Sequence, residues 1–222
     1  MPTSTVEDYL KCIYVIGKER GAGEPVSTGQ VAAHLHVAPG TATAMVKALS
    51  EAGLVTYAPY SGARLTPGGA RLATHVLRRH RIVELFLVQV MGMNWSEVHE
   101  DAELLEHAVS DRLIEQMDEM LGRPANDPHG DPIPTARGVV PQTDYTSLLG
   151  CEPKKSHRVA RVMDQGTSFL RLMERHGVLP GRRLRVERRE DAAETLVIRA
   201  EGNRPASLSF SAAAKILVEP LR

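Results

Sequence analysis

The sequence predicts a mainly α protein with a β-rich tail, ordered as a winged helix-turn-helix, a helical segment and a small β domain. Three observations carry the prediction. Ahead of residue 122 the apolar side chains recur at helical spacing, interrupted by one hairpin signal. From Gly122 to Pro141, Pro124, Pro128, Pro132, Pro134 and Pro141 alternate with Gly122, Gly130 and Gly138. Neither a helix nor a central strand tolerates that density, so the stretch is an extended connector. Past it, the pattern alternates like strands around one short helix. The expected divisions are residues 1–70, 71–141 and 142–222.

The elements follow in order. Val6, Leu10, Ile13 and the pair Tyr14/Val15 share one helical face, and that segment ends near Gly17 to Gly23. Ser27 opens a short helix over Val31 to Leu35. After a turn at residues 36–38, Pro39 stands in the first turn of the next helix, which Gly53 closes. Leu54 to Tyr57 and Ala63 to Thr66 flank Ser61-Gly62, the hairpin signal. Thr66-Pro67 starts a long helix reaching about Met91, and further helices begin near Ser96 and cover Asp111 to Leu121. In the tail, Arg158 to Val162, Arg183 to Glu187, Thr195 to Ala200 and Ser207 to Phe210 read as strands, and Ser168 to His176 as a helix.

Composition sets the outer limits. A chain of 222 residues can bury a sizeable core, and its 42% apolar content excludes a disordered protein. No apolar run reaches the roughly 18–20 residues of a membrane span. Met1 to Asp8 is polar and acidic, unlike a secretory signal. Cys12 and Cys151 stand alone without a C-x-x-C, which excludes a disulfide scaffold and a thiolate zinc knuckle, so a cytoplasmic protein is expected. The 27 Lys+Arg balance 27 Asp+Glu, but unevenly along the chain. Residues 93–131 hold eleven acids against Arg112 and Arg123, whereas residues 154–189 hold eleven Lys/Arg against three acids. A block that acidic is either a solvated helix face or a place for cations and partners.

In a winged helix-turn-helix the second helix of the motif enters the major groove and the hairpin lies along the backbone. Here that helix, Pro39 to Leu49, leads with small and hydroxyl residues. Gly40, Thr41 and Thr43 can approach base edges and thymine methyls, and Lys47 can reach a phosphate. Ser27 and Pro39 complete the expected contact set on the helical side, and Tyr57, Tyr60 and Arg64 on the hairpin. The row Arg64, Arg71, Arg78, Arg79 and Arg81, with no acid between, favours DNA over a protein-interaction module. A palindromic operator requires a two-fold dimer, for which Leu77, Ile82, Leu85, Phe86, Val90 and Trp95 offer apolar surface.

His80 and Glu84 stand one helical turn apart, and His99, Glu103, Glu106 and His107 form a second stripe. One such pair is more often a surface ion pair. Two on consecutive helices within an acidic block can converge nitrogen and oxygen donors, as helix-bundle metal sites do. Asp8 on the first helix can close that site from a third direction. A donor set of carboxylate and imidazole without sulfur favours Mn(II) or Fe(II), although zinc and cobalt would bind in vitro.

The stretches Val6-Glu-Asp-Tyr-Leu10, Leu65-Thr-Pro-Gly-Gly69, Arg79-His-Arg-Ile-Val-Glu84, Val98 to Asp111 and Pro128-His-Gly-Asp-Pro-Ile-Pro134 resemble a known family. It is the diphtheria-toxin-repressor/MntR family of metal-dependent transcriptional regulators, in its long form with a carboxy-terminal SH3-like (FeoA-like) domain. The resemblance implies a helical metal-binding and dimerisation domain, with one site from Asp8, Glu103, Glu106 and His107. It implies a second site near His80, Glu84 and His99. Asp127 stands where some relatives carry a ligating Cys, which makes Asp127 and His129 ligand candidates, and Asp164 falls where the tail can lend an oxygen. Iron-responsive members have Met and Cys at the positions of Asp8 and Glu103, so this chain is similar to the manganese branch. Lys11 stands where short manganese regulators have an acid.

The expected function is a manganese- or iron-responsive repressor that binds palindromic double-stranded operator DNA as a metal-loaded homodimer. Mn(II) is the expected cofactor with Fe(II) second, and no organic cofactor or membrane partner is expected. Two alternatives remain open at this point: a metal-independent DNA-binding regulator holding an organic ligand, and a carboxylate/histidine metalloenzyme. No H-E-x-x-H, G-x-S-x-G, G-x-G-x-x-G or Walker signature supports the enzyme.

Overall fold

A capping box starts the helix-turn-helix. In the computed structural model, which describes residues 3–20 and 24–221, α1 (Ser4–Arg20) precedes α2 (Thr28–His34) and α3 (Pro39–Glu51). Residues 21–23, where the first helix is expected to close, lie outside the described residues. Ser27 caps α2: its hydroxyl accepts the Gln30 N–H at 3.2 Å, and the Gln30 side chain accepts the Ser27 N–H at 3.0 Å. Pro39 begins α3, where a missing N–H leaves no bond unmade. Leu10, Val31, Ala42, Val46, Leu49 and Val55 form the core beneath these elements.

The wing is β1 (Val55–Ala58) and β2 (Gly62–Leu65), paired antiparallel from Val55 with Leu65 to Ala58 with Gly62. Gly62 has φ +102°, and a Cβ there would stand 2.6 Å from the Val26 carbonyl oxygen, so this close approach requires glycine. α4 (Pro67–Gln89), α5 (Val98–Ala108) and α6 (Asp111–Met120) follow. No helix among the described residues is long and apolar enough to cross a membrane.

The chain forms two compact units. The first comprises Met1–His80, Glu106–Ser110 and Pro134–Val140; the second comprises Arg81–Leu105, Asp111–Ile133 and Pro141–Arg222. The second contains a six-stranded antiparallel sheet of order β3-β8-β4-β5-β6-β7. Its strands are β3 (Thr146–Ser147), β4 (Ser156–Val162), β5 (Arg183–Glu190), β6 (Thr195–Ala200), β7 (Ala206–Ser209) and β8 (Ile216–Pro220), with α7 (Thr167–Arg175) and α8 (Phe210–Ala214) between them. Inward residues Leu184, Val186, Leu196, Ile198, Ile216 and Val218 make its core. β8 was not expected from the pattern, because its five residues follow directly on an apolar Ala-rich turn of helix.

Two expectations need correction. The arginine row is not a DNA-facing stripe. Arg78 and Arg79 are buried in the first unit, where Arg78 Nη1 donates to the Pro134 carbonyl at 3.1 Å and Arg79 Nη1 to the Glu106 carbonyl at 3.5 Å. In the second unit Arg81 Nη1 donates to the Pro132 carbonyl at 2.5 Å. These guanidiniums satisfy the Pro132 and Pro134 carbonyls of the irregular connector and the Glu106 carbonyl in the last turn of α5, where helix carbonyls lack an intrahelical partner. Of the apolar residues expected to offer dimer surface, Leu77, Ile82, Leu85 and Trp95 are buried within the single chain, Phe86 is half-buried and Val90 is exposed. Leu104, Leu105, Leu113 and Met120, on α5 and α6, are the large apolar side chains that these helices leave in solvent.

Candidate metal centre

In the first unit, one ligand atom each from Asp8, Glu106 and His107 lie within 4.8 Å of one another. α1 brings Asp8, and the last turn of α5 brings the other two. His107 Nε2 is 2.8 Å from Asp8 Oδ1 and 3.3 Å from Glu106 Oε1, while its Nδ1 is 2.7 Å from Glu7 Oε2. Each ring nitrogen thus faces a carboxylate, an arrangement that favours the doubly protonated imidazole. Burial pulls His107 downward, but Glu7, Glu106 and Asp8 together outweigh it and raise its pKa. Burial also raises Asp8, against the opposing pull of His107 and Lys11. Nε2 therefore faces the gap between Asp8 and Glu106 where a divalent ion would be held, and a proton there would compete with that ion.

Glu106 is fully buried and clamped from both sides. Lys11 Nζ meets its Oε1 at 2.6 Å, and His80 Nδ1 meets its Oε2 at 2.6 Å. The i, i+4 pair of the sequence is thus split: His80 orients Glu106, whereas Glu84 belongs to a second cluster.

That cluster lies in the second unit. Glu84, fully buried on α4, presents Oε1 to His99 Nδ1 at 3.2 Å and Oε2 to His129 Nδ1 at 3.8 Å. Glu103, expected beside Asp8, faces His99 Nε2 at 3.6 Å instead. The connector delivers Asp127 and His129 through a tight loop. Asp127 Oδ1 accepts the N–H groups of His129 at 2.8 Å and Asp131 at 2.9 Å. Gly130 has φ +89° there, and a Cβ would fall 2.0 Å from the Ala160 carbonyl oxygen.

The His129 ring is stacked on Trp95 with centroids 5.4 Å apart, and its Nε2 is 2.9 Å from the Trp95 carbonyl. A carbonyl only accepts, so Nε2 bears the proton. Nδ1 is left buried, without a hydrogen-bond partner, and directed at Glu84. Atoms of Glu84, Asp127 and His129 again fall within 4.8 Å of one another, all three residues being buried. An orphaned imidazole nitrogen among buried carboxylates is what a divalent ion would satisfy, so these residues fit a metal.

Charge around this cluster is finely divided. Asp131 takes Arg161 Nη2 at 2.5 Å and Arg81 Nη2 at 3.3 Å, and Gln165 Nε2 donates to it at 2.8 Å. Arg81 Nε lies 3.5 Å from Asp127 Oδ2. Burial, then Asp131 and Glu84, push the Asp127 carboxyl well above its usual range, which Arg81 offsets only in part.

Asp164 stands apart from both clusters. Lys215 Nζ binds it at 2.7 Å and the Gly166 N–H at 2.9 Å; despite partial burial these hold its carboxyl below its ordinary value. Sequence reasoning missed Glu7, Asp131 and Gln165. Glu7 adjoins Asp8 and Asp131 ends the His-Gly-Asp run, so both were adjacent to quoted residues, whereas nothing local marked Gln165.

On the DNA-binding side, Gly40, Thr41, Lys47 and Arg64 are exposed. Thr43 is half-buried and its hydroxyl donates to the Pro39 carbonyl at 2.9 Å. Ser27 is committed to its cap, and Tyr57 packs on the core, while Tyr60 projects fully into solvent.

Residues 1–63 match the family model for the iron-dependent repressor N-terminal DNA-binding domain, and residues 66–135 match its metal-binding and dimerisation domain. Residues 146–220 match the FeoA domain. The iron-dependent repressor IdeR of Mycobacterium tuberculosis is 30% identical over 211 residues, covering 90% of each chain. The chain belongs to the iron-dependent repressor family. It is a metal-dependent transcriptional repressor that binds DNA as a dimer, and not an enzyme. A manganese-dependent transcriptional repressor in complex with manganese superposes with a TM-score of 0.86 at 38% identity, covering 97% of this chain and 100% of that one. The manganese regulator SloR gives 0.75 at 32% identity over the full length of both. The family assignment removes the organic-ligand and metalloenzyme alternatives for this iron-dependent repressor homologue.

Proposed function

We propose that this repressor responds to Mn(II), with Fe(II) second, through Asp8, Glu106 and His107 in one site and Glu84, Asp127 and His129 in another. The observation that carries this reading is the donor chemistry. Both clusters offer only carboxylate oxygen and imidazole nitrogen, and the buried Cys12 and Cys151 belong to neither. Hard oxygen donors suit manganese, whereas a thiolate would favour softer ions. A bound ion supplies positive charge that holds these carboxylates together. His107 must first lose its Nε2 proton, after which Glu7 keeps the ring oriented through Nδ1–H. His129 needs no such loss, because the Trp95 carbonyl already fixes its tautomer.

On this reading Glu103 and His99 form an outer layer around Glu84, and His80 and Lys11 hold Glu106. Thr41, Gly40 and Lys47 are the DNA-contacting residues of α3, with Tyr60 and Arg64 on the wing. Divisions near residues 70 and 141 separate DNA-binding, metal-binding and FeoA-like parts. The protein acts where the chromosome is, in the cytoplasm. DNA binding measured at matched free Mn(II), Fe(II), Zn(II) and Co(II), with a chelator control, tests the proposal. Binding indifferent to the chelator, or activated by zinc in preference to manganese, contradicts it.

A further inference from the structure

Apart from Arg161, which pairs with Asp131, the basic tract at residues 154–189 is unexplained by metal binding or by the winged helix. The sheet gathers part of it on one face. Arg158 on β4 stands directly opposite Arg183 on β5, and Arg185 stands opposite Arg199 on β6. Arg183 and Arg185 are two residues apart on β5, so the four guanidiniums share one side of the sheet and all are exposed. Like charges directly opposite one another in a sheet are destabilising, so the arrangement costs stability.

Several other arginines of the tract are neutralised locally. Arg188 Nε meets Glu190 at 2.5 Å and Arg189 Nε meets Asp191 at 2.6 Å. Within the four, Arg158 has Glu219 at 3.7 Å and Arg199 has Glu187 at 3.1 Å. Arg183 and Arg185 have no ion-pair partner among the described residues. Glu201 binds the Arg183 carbonyl only through its backbone N–H, at 2.9 Å. Lys154 and Arg182 extend the positive surface.

We propose that this arginine face of the FeoA-like domain is a second, sequence-independent contact for the phosphate backbone of duplex DNA. The proposal rests on the chain being a DNA-binding repressor, whose bound operator supplies duplex at a raised local concentration. The chemistry favours a polyanion over a protein partner. Protein interfaces centre on buried aromatic or aliphatic anchors. Of the large apolar side chains exposed among the described residues, only Met163 belongs to this domain. Arg183 and Arg185 are roughly 6.7 Å apart along their strand, enough to meet separate phosphates on a backbone with one charge per about 3.4 Å of axis. Guanidiniums bind phosphate through two parallel N–H donors.

The test uses the full chain and a random-sequence duplex of about 40 base pairs, titrated over salt with Mn(II) and again with chelator. Each phosphate contact contributes about 0.9 to the slope of log affinity against log salt. The Arg183→Gln/Arg185→Gln variant should therefore lower the slope by about 1.8 and weaken binding about sixtyfold near 0.1 M salt, with or without metal. The Arg183→Lys/Arg185→Lys variant, which keeps the charge, should retain most of the slope. An unchanged slope in the glutamine variant overturns the proposal. So does loss of binding to poly-glutamate with duplex binding intact, which assigns the face to an acidic protein. If the unsubstituted chain binds no duplex at all, the repressor reading fails first and the proposal with it.

Discussion

His129 presents a bare Nδ1 to Glu84 Oε2 across 3.8 Å, too far for a hydrogen bond, so a divalent ion held by both would join them. His129→Gln should leave the metal-free fold nearly intact, since the ring lies between two packed groups, and should cost metal binding. At manganese about 100-fold above the dissociation constant, binding stabilises by about 2.7 kcal/mol, and the variant should lose about half of that or more. Thermal melts with and without Mn(II) measure it. An undiminished manganese shift would remove His129 from the ligand set.

Asp127 gives a pH dependence whose sign follows from its environment. Its carboxyl is raised in the folded state by burial, Asp131 and Glu84, so the folded protein binds more protons than the unfolded chain. The stability it contributes is complete below the unfolded carboxylate value and is lost as pH rises through the raised one. Metal-free protein should accordingly become less stable from mildly acidic toward neutral pH. Asp127→Asn should flatten that decline and also reduce the manganese-induced shift. A steeper decline in the variant would contradict the assignment.

His107 makes metal uptake a proton exchange. Its pKa is raised by Glu7, Glu106 and Asp8, and the Nε2 proton lies between Asp8 and Glu106. Below that raised value, manganese affinity at this site should climb about tenfold per pH unit, with about one proton released per ion. Calorimetry in buffers of different ionisation enthalpy counts the proton. Glu7→Gln should weaken the pH dependence, because His107 then holds its proton less firmly. No proton release in mildly acidic buffer would show that His107 is already neutral.

Thr41 and Lys47, both exposed on α3, should behave differently on DNA. Thr41→Ala should lose about 1–3 kcal/mol on the operator and little on random duplex. Lys47→Ala should weaken both and lower the salt slope by about 0.9. Thr43→Ala should cost less than Thr41→Ala, because the Thr43 hydroxyl is already given to the Pro39 carbonyl. Equal losses on operator and random DNA for Thr41→Ala would move it to the backbone-contact class.

Leu104 is 75% exposed and Leu113 47% exposed on neighbouring helices, too much apolar surface for solvent alone. Placing charge there, as Leu104→Glu with Leu113→Glu, should weaken dimerisation by two orders of magnitude or more. Sedimentation at micromolar concentration reads this directly. A dimer of unchanged strength would locate the subunit surface elsewhere.

Much of the fold was legible in the residues. Ser27 with Gln30, Pro39, Gly53 and the Ser61-Gly62 turn each have one favoured local conformation, and the winged helix-turn-helix is assembled from them. The proline-rich connector and the alternation in β4, β5 and β6 were equally local signals. The metal-ligating residue types were legible as well, because imidazoles and carboxylates at helical spacing inside an acidic block are rare as mere surface. Most of their partners were not. Helical spacing grouped His80 with Glu84, yet His80 meets Glu106 while Glu84 meets His99 and His129; the pair His99 and Glu103, one helical turn apart, does meet as the spacing grouped it.

By itself, then, the sequence determined the wing, the connector, strands β4 to β7 and the helices α1 to α7, but not β3, α8 or β8, and it offered the side chains proposed to hold a divalent ion. The tertiary structure alone decided that three arginines of an apparent DNA-binding row close off buried carbonyls. It also decided that Trp95 joins the core and that its carbonyl sets the tautomer of His129. The physical reason is range. Helix, strand and turn preferences act over three or four residues, whereas a desolvated charge or an orphaned donor is settled by whichever partner the packed chain brings within about 3 Å. His129 and Glu84 are 45 positions apart along the chain, and no local periodicity reports a meeting at that separation.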